Sequence, residues 1–227
     1  MKITYHGHSV VSIVTETGCR IVIDPFFTGN TLADIPAEAV QADYILITHG
    51  HSDHIGDMVA IAKACEATVV GMVEVCHYAE TQGVKKTHGM NIGGRFTFPF
   101  GRVKLVPALH STGLEVAGQM VYMGEAAGLI LEIEGKTIYH AGDTSYFRDM
   151  ELIGEYFEVD LAFLPIGDNF TMGPAEAAVA AASIQAKKVV PIHYNTFPVI
   201  QQDPQQFVGM LEASVGEIMH PGETVTL

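Results

Sequence analysis

Apolar positions along the chain come in short runs of four to seven residues, broken by glycine, proline and small polar residues. In the first 25 residues they alternate with polar ones, which predicts three short strands. Ser9 to Thr15 and Arg20 to Ile23 flank a hairpin turn at Thr17-Gly18. Ile55, Val59, Ile61 and Ala62 have helical spacing, so Ile55 to Ala64 reads as a helix. Ala67 to Gly71 reads as a strand and Met72 to Thr81 as a helix. Arg95 to Glu134 is mostly strands separated by glycines, and Tyr146 to Tyr156 is a helix. Val159 to Ile166 is a buried strand. Pro174 to Gln185 is an alanine-rich helix, with proline in its first turn and Glu176 near its positive end. Lys187 to Ile192 is a strand and Pro204 to Ala213 the last helix. Strand-rich blocks thus alternate with single helices. By itself this pattern predicts an α/β protein of one domain spanning residues 1–227.

The chemistry sits where apolar runs end. After Tyr44-Ile45-Leu46-Ile47 comes Thr48-His49-Gly50-His51-Ser52-Asp53-His54, an H-x-H-x-D-H cluster. Imidazole and carboxylate suit zinc and neighbouring divalent metals. These four groups are too many for one metal site that keeps an open position, so the spacing points to two adjacent metals. Residues of the same kind end other apolar runs: His110 after Val103 to Leu109, Asp143 after Lys136 to Gly142, and His193 after Lys187 to Ile192. His6, His77, His88 and His220 have no such context.

In this order the motif and its partners resemble the metallo-β-lactamase superfamily, over nearly the whole chain. Gly7-His8-Ser9, Ile23-Asp24-Pro25, His140-Ala141-Gly142-Asp143-Thr144 and Pro191-Ile192-His193-Tyr194-Asn195-Thr196 narrow the likeness. They resemble a group of small metal-dependent hydrolases similar to the ascorbate-6-phosphate lactonase and N-acyl-phosphatidylethanolamine phospholipase D branch. The resemblance implies a four-layer αβ/βα sandwich, with two mixed β-sheets face to face and helices outside. It implies that His49, His51 and His110 hold one metal and Asp53, His54 and His193 a second, with Asp143 bridging them. Two ions about 3.5–4 Å apart would share a water and lower its pKa, and the hydroxide would be the nucleophile. Asp53 would also orient that water and accept its proton. Zinc is the first expectation, with manganese, nickel or iron also accepting these ligands.

Around this set, Asp24 reads as a group that fixes the metal loop, His8 as a substrate contact, and His140 as an outer support. Tyr194 and Asn195 follow His193 directly and could donate to a substrate oxygen. Asn169 and Gly173 lead into the alanine-rich helix, whose free N–H groups could bind an anion. The expected substrate is therefore a small anionic molecule with an ester, lactone or phosphoester bond.

Charge narrows the alternatives. The formal net charge is −14, from 26 acidic against 12 basic residues. That balance disfavours a nuclease or phosphodiesterase acting on nucleic acid, where lysine and arginine supply much of the affinity. His51 stands where di-iron oxygen- or nitric-oxide-reducing proteins of this superfamily carry glutamate, and no flavin domain follows. A non-enzymatic metal-binding protein is the remaining alternative. No apolar run approaches about 18 residues, so no membrane partner is expected. The N-terminus reads as a strand rather than a signal peptide. Cys19, Cys65 and Cys76 form no disulfide framework and read as small apolar residues in a reducing cytoplasm. A homo-oligomer is left open.

Overall fold

A computed structural model describes residues 1–227. The first sheet begins with β1 (Lys2–Tyr5), β2 (Val11–Val14), β3 (Arg20–Ile23) and β4 (Tyr44–Leu46). It continues with β5 (Thr68–Met72) and β6 (Thr87–Met90), and β15 (Thr224–Thr226) closes its other edge. The strand order is β15-β1-β2-β3-β4-β5-β6. β15 to β3 pair antiparallel and β3 to β6 parallel. The second sheet contains β7 (Arg95–Phe98), β8 (Gly101–Pro107), β11 (Ala127–Ile133), β12 (Lys136–His140), β13 (Leu161–Pro165) and β14 (Lys188–Ile192). Its order is β14-β13-β12-β11-β8-β7, parallel through β12 and antiparallel beyond it. β9 (Gly113–Val116) and β10 (Gln119–Tyr122) form a separate hairpin.

Side-chain alternation explains the layering. Along β13, Leu161 and Phe163 join the core between the sheets, whereas Ala162 and Leu164 join a second cluster on the outer face. A sheet covered on both faces needs apolar residues throughout, and every residue of β13 is buried. The outer cluster lies under α4 (Met150–Tyr156), α5 (Pro174–Ile184) and α6 (Pro204–Met210). α5 buries Ala177, Ala180, Ala181 and Ile184, an i, i+3, i+4, i+7 stripe of mostly small residues. That stripe lets α4 come close: a Cβ on Gly154 would lie 2.5 Å from the Ser183 carbonyl. α2 (Met58–Cys65) and α3 (Val73–Thr81) cover β4 to β6 of the first sheet. The result is the four-layer αβ/βα sandwich that the resemblance implies.

Some element boundaries differ from those expected. The helix predicted over Ile55 to Ala64 is two pieces, α1 (Ser52–Ile55) and α2, broken at Gly56. Gly56 has φ +40°, and a Cβ there would sit 2.5 Å from the Pro25 carbonyl. Only glycine lets the motif loop lie this close to the chain leaving β3. α4 starts at Met150 rather than Tyr146, and α6 ends at Met210 rather than Ala213. β6 and β15 are strands that the pattern did not reveal.

Topology places the site. β3 and β4 run parallel, as do β12, β13 and β14, and β8 points the same way as β12 across the antiparallel β11. Their C-terminal ends gather along one edge of the sandwich. Two backbone hydrogen bonds cross between the sheets there: Ala127 N–H donates to the Thr48 carbonyl at 3.0 Å, and His193 N–H to the His8 carbonyl at 2.7 Å.

Candidate metal centre

The loops after β4, β8, β12 and β14 deliver His49, His51, Asp53, His54, His110, Asp143 and His193 to this edge. Three overlapping groups have donor atoms within 4.8 Å of one another: His49, His51 and His110; His8, Asp53, His54 and His193; and His49, His54 and Asp143. Asp143 lies centrally, with one oxygen 3.3 Å from His54 Nε2 and the other 2.9 Å from His193 Nε2 and 3.5 Å from His110 Nε2. The His193 approach lacks hydrogen-bond alignment, and His54 Nε2, His193 Nε2 and Asp143 Oδ1 are buried without hydrogen-bond partners. Buried polar atoms are normally satisfied. Orphaned imidazole nitrogens aimed at one carboxylate are the donor chemistry of a divalent cation site, so these residues fit the metal that the motif implies.

Asp24 sets the outer face of that site. It is fully buried at the end of β3, with φ +46°. Its Oδ1 accepts the Thr48 N–H at 2.8 Å, and its Oδ2 accepts the Thr48 hydroxyl at 2.6 Å and His54 Nδ1–H at 2.8 Å. With Nδ1 protonated, His54 keeps Nε2 as a lone pair facing inward. The Thr48 oxygen in turn lies 3.1 Å from His49 Nδ1, which it holds as a donor, leaving His49 Nε2 as the free lone pair. That nitrogen faces His51 Nδ1 at 3.0 Å. One aspartate therefore sets the tautomer of two imidazoles.

Electrostatics separates the histidines. Burial, followed by the neighbouring His54, pushes His49 well below the ordinary imidazole value; burial lowers His51 and His110 too. All three are neutral near pH 7, the form that binds metal. Burial also disfavours charge on His54 and His193, but the carboxylates around them together outweigh it: Asp143 and Asp24 raise His54 well above the ordinary value, and Asp143 and Asp53 raise His193 to about 9. A cation beside Asp143 competes directly with those protons. Burial opposes ionisation of Asp53, yet His193 and His8 hold its carboxyl far below the usual range.

Several expected roles change. His8 is fully buried and does not offer a face to substrate. Its Nε2 lies 3.1 Å from Asp53 Oδ2 and its Nδ1 2.9 Å from the Thr196 hydroxyl. A Thr196 hydroxyl that donates to Nδ1 leaves Nε2–H to donate to Asp53. His8 thus braces Asp53. The His140 Nε2–H donates to the Ser9 carbonyl, and its Nδ1 accepts the Gly142 N–H in the loop that carries Asp143. Asn195 Oδ1 accepts the Gln202 N–H at 2.8 Å and closes its own loop, a bond in which its side-chain NH2 takes no part. Tyr194 is buried in the cluster under α5. Asn169 and Gly173 are corrected as well. They do not line the cleft beside Asp53, whereas Phe170 does. The Asp168 carboxylate lies 3.5 Å from where a Gly173 Cβ would be, so a negative charge already sits at the start of α5 and opposes an incoming anion.

The residues that sequence reasoning passed over are Thr48, Thr112, Met123 and Thr196. Thr112 Oγ1 accepts the Gly50 N–H at 3.0 Å, and Met123 Cβ would lie 2.1 Å from a Cβ on Gly50. Thr48 was signalled by its place directly before His49; the other three contacts are purely tertiary.

Comparison with known proteins bears on the fold and the family. The model of the Beta-lactamase superfamily domain matches residues 19–194. The chain is 56% identical over 225 residues to a UPF0173 metal-dependent hydrolase of Enterococcus faecalis, covering 99% of each chain. It is 58% identical over 228 residues to one from Anoxybacillus flavithermus, covering 100% of both. Among solved structures it is similar to Igni18, a metallo hydrolase from the hyperthermophilic archaeon Ignicoccus hospitalis. The TM-score is 0.89 at 36% identity, covering 100% of this chain and 97% of that one.

Proposed function

Since the chain belongs to the beta-lactamase superfamily, and within it to the metal-dependent hydrolases, we propose that it is a binuclear hydrolase of a small ester, lactone or phosphoester. His49, His51 and His110 would hold one divalent ion, and Asp53, His54 and His193 the other, with Asp143 shared. Zinc is the ion favoured by the donor set, which manganese, nickel and iron also suit. When bound, such ions acidify water and polarise the scissile carbonyl or phosphoryl group.

The chain's own residues do the rest. Asp53 is the donor that borders the open cleft, while His49, His54, Asp143 and His193 are buried. It therefore meets the incoming water. Held ionised by His8 and His193, it orients that water as a hydrogen-bond acceptor and holds a proton only transiently. Asp24 and Thr48 keep the lone pairs of His54 and His49 turned inward. An anionic substrate group would find its counter-charge at the ions and not at the start of α5. The partner is a small molecule rather than nucleic acid, since no lysine or arginine lines the cleft. No helix is long and apolar enough to cross a membrane. The three unpaired cysteines support a cytoplasmic setting, where thiols stay reduced.

The observation that carries this reading is the set of buried, unpartnered donor atoms of His54, His193 and Asp143 at one point. It is tested by screening the metal-reconstituted protein on carboxylic esters, lactones, phosphodiesters, thioesters and amides. Turnover of an ester, lactone or phosphoester should follow added divalent ion, stop on chelation, and be lost in His51→Ala. Turnover that persists after chelation, or in His51→Ala with its metal content unchanged, would remove the proposed centre.

A further inference from the structure

A cleft of about 730 Å³ opens beside Asp53, within the size range of small-molecule sites. Four of its nine lining residues are apolar, Phe26, Phe170, Phe197 and Val199, and the rest are small or polar. The aromatic wall is continuous with the metal centre: the Phe26 and Phe197 rings lie 5.4 and 5.5 Å from the ring of His8, and His8 braces Asp53. Opposite charge for an anion is missing. No lysine or arginine lines the cleft, and Asp57, the carboxylate besides Asp53, is already engaged by the N–H groups of Phe27 and Thr28 at 3.0 and 2.8 Å.

The two outermost wall residues are large apolar side chains left in water. Phe170 is 54% exposed and Val199 59%. Each sits on a backbone held in place by the site's own loops. Phe170 follows Asp168 and Asn169, both in the left-handed region at φ +60° and +37°. A Cβ on Gly167 would be 2.3 Å from the His193 carbonyl, so this loop lies directly against the loop of a metal ligand. Val199 belongs to the turn that returns to Ile200, whose carbonyl accepts the Asn195 N–H. Apolar side chains exposed next to a reacting centre, on a backbone tied to its loops and without a cation lining the cleft, are placed to be covered by an apolar part of the substrate.

We infer that this cleft is the specificity subsite of the enzyme, and that it takes an uncharged apolar arm, aromatic or acyl, attached to the group that is hydrolysed at the metals. The inference rests on the reading of the Asp53 centre as the hydrolytic site. Phe26, Phe170, Phe197 and Val199 bind the arm, and the metal ligands bind the scissile group.

The test uses zinc-reconstituted protein and three hydroxamates that share a chelating head and resist hydrolysis: acetohydroxamate, phenylacetohydroxamate and a hydroxamate with a carboxyethyl arm. Calorimetric titration reads their affinities. The phenyl arm should tighten binding about tenfold over acetohydroxamate, as expected for partial burial of one aromatic ring, and the carboxylate arm should not tighten it. Phe170→Ala and Val199→Ala are surface changes that leave the core intact. Each should weaken phenylacetohydroxamate by roughly three- to tenfold, and by clearly more than acetohydroxamate. Equal affinities for all three probes, tighter binding of the carboxylate arm, or indifference to both substitutions would overturn the subsite while leaving the metal centre standing. Failure of acetohydroxamate itself to bind would instead remove the metal centre, and the inference with it.

Discussion

Asp24 illustrates how much of the centre depends on a residue that does not face it. It orients His54 directly and His49 through Thr48, and so reaches one ligand of each proposed metal position. Asp24→Asn keeps the shape but turns an acceptor oxygen into a donor NH2, which cannot accept from both Thr48 and His54. Metal affinity or turnover should fall about 10- to 100-fold, the range for partners of ligating histidines. Competition against a chromogenic chelator reads the affinity; an unchanged value in Asp24→Asn would show that packing alone orients the two rings. The candidate ligands stood out because the H-x-H-x-D-H cluster and three single residues each end an apolar run; the order of those partners after the cluster, not local context alone, singled them out. The bracing role of His8 did not stand out. It depends on Asp53 and Thr196, 45 and 188 residues away in the chain, meeting one buried ring.

At the scale of elements, glycine decides where the motif loop can go. A Cβ on Gly50 would meet Met123 Cβ at 2.1 Å, an atom fixed to the backbone that cannot swing aside. Gly50→Ala should therefore push the His49–His51 segment from its place, at a cost of about 1–3 kcal/mol typical of overpacking. Its metal affinity should fall together with its melting temperature. Gly209→Ala in α6 meets nothing within 4 Å and serves as the control, with stability unchanged or slightly raised. If the two variants behave alike, Met123 is more mobile than its burial implies.

Asp160, at the entry to β13, makes a second element-level case. It accepts the Thr137 N–H and a Lys187 ammonium proton, each at 2.9 Å, with Lys136 at 3.5 Å. Burial pushes its pKa up, but these donors outweigh it and the net shift is downward from 3.8. A carboxyl with a folded pKa below its unfolded one stabilises above the unfolded value and loses that contribution as pH falls through the folded one. Asp160→Asn should cost about 1–3 kcal/mol at neutral pH, and the gap between variant and parent should narrow below about pH 4. A gap independent of pH in thermal melts would mean that the charge is not what matters. Element boundaries were legible where periodicity was strong, as in α5 and β13. β6 escaped notice because Thr87-His88-Gly89-Met90 does not alternate and only Met90 is buried. β15 escaped because it is a three-residue edge strand with no buried residue. The break at Gly56 follows from a close approach to Pro25 that no local pattern encodes.

Over the whole molecule, the centre is assembled by the two halves of the sandwich. The first sheet's strand ends give His49, His51, Asp53 and His54, and the second sheet's give His110, Asp143 and His193. Apolar periodicity predicted only an α/β domain; the sandwich came from the family resemblance carried by the motifs, because face-to-face packing of two sheets leaves no local trace. The 44-residue apolar cluster between the sheets holds them together without help from a cation, so chelation should leave the secondary structure intact by circular dichroism. The central claim is that this shared edge holds two ions bridged by Asp143. Elemental analysis of protein reconstituted with excess zinc and desalted without chelator tests it most directly. The account predicts saturation close to two ions per chain, falling to one or fewer in Asp143→Ala; saturation at one in the parent protein, unchanged in Asp143→Ala, would contradict it.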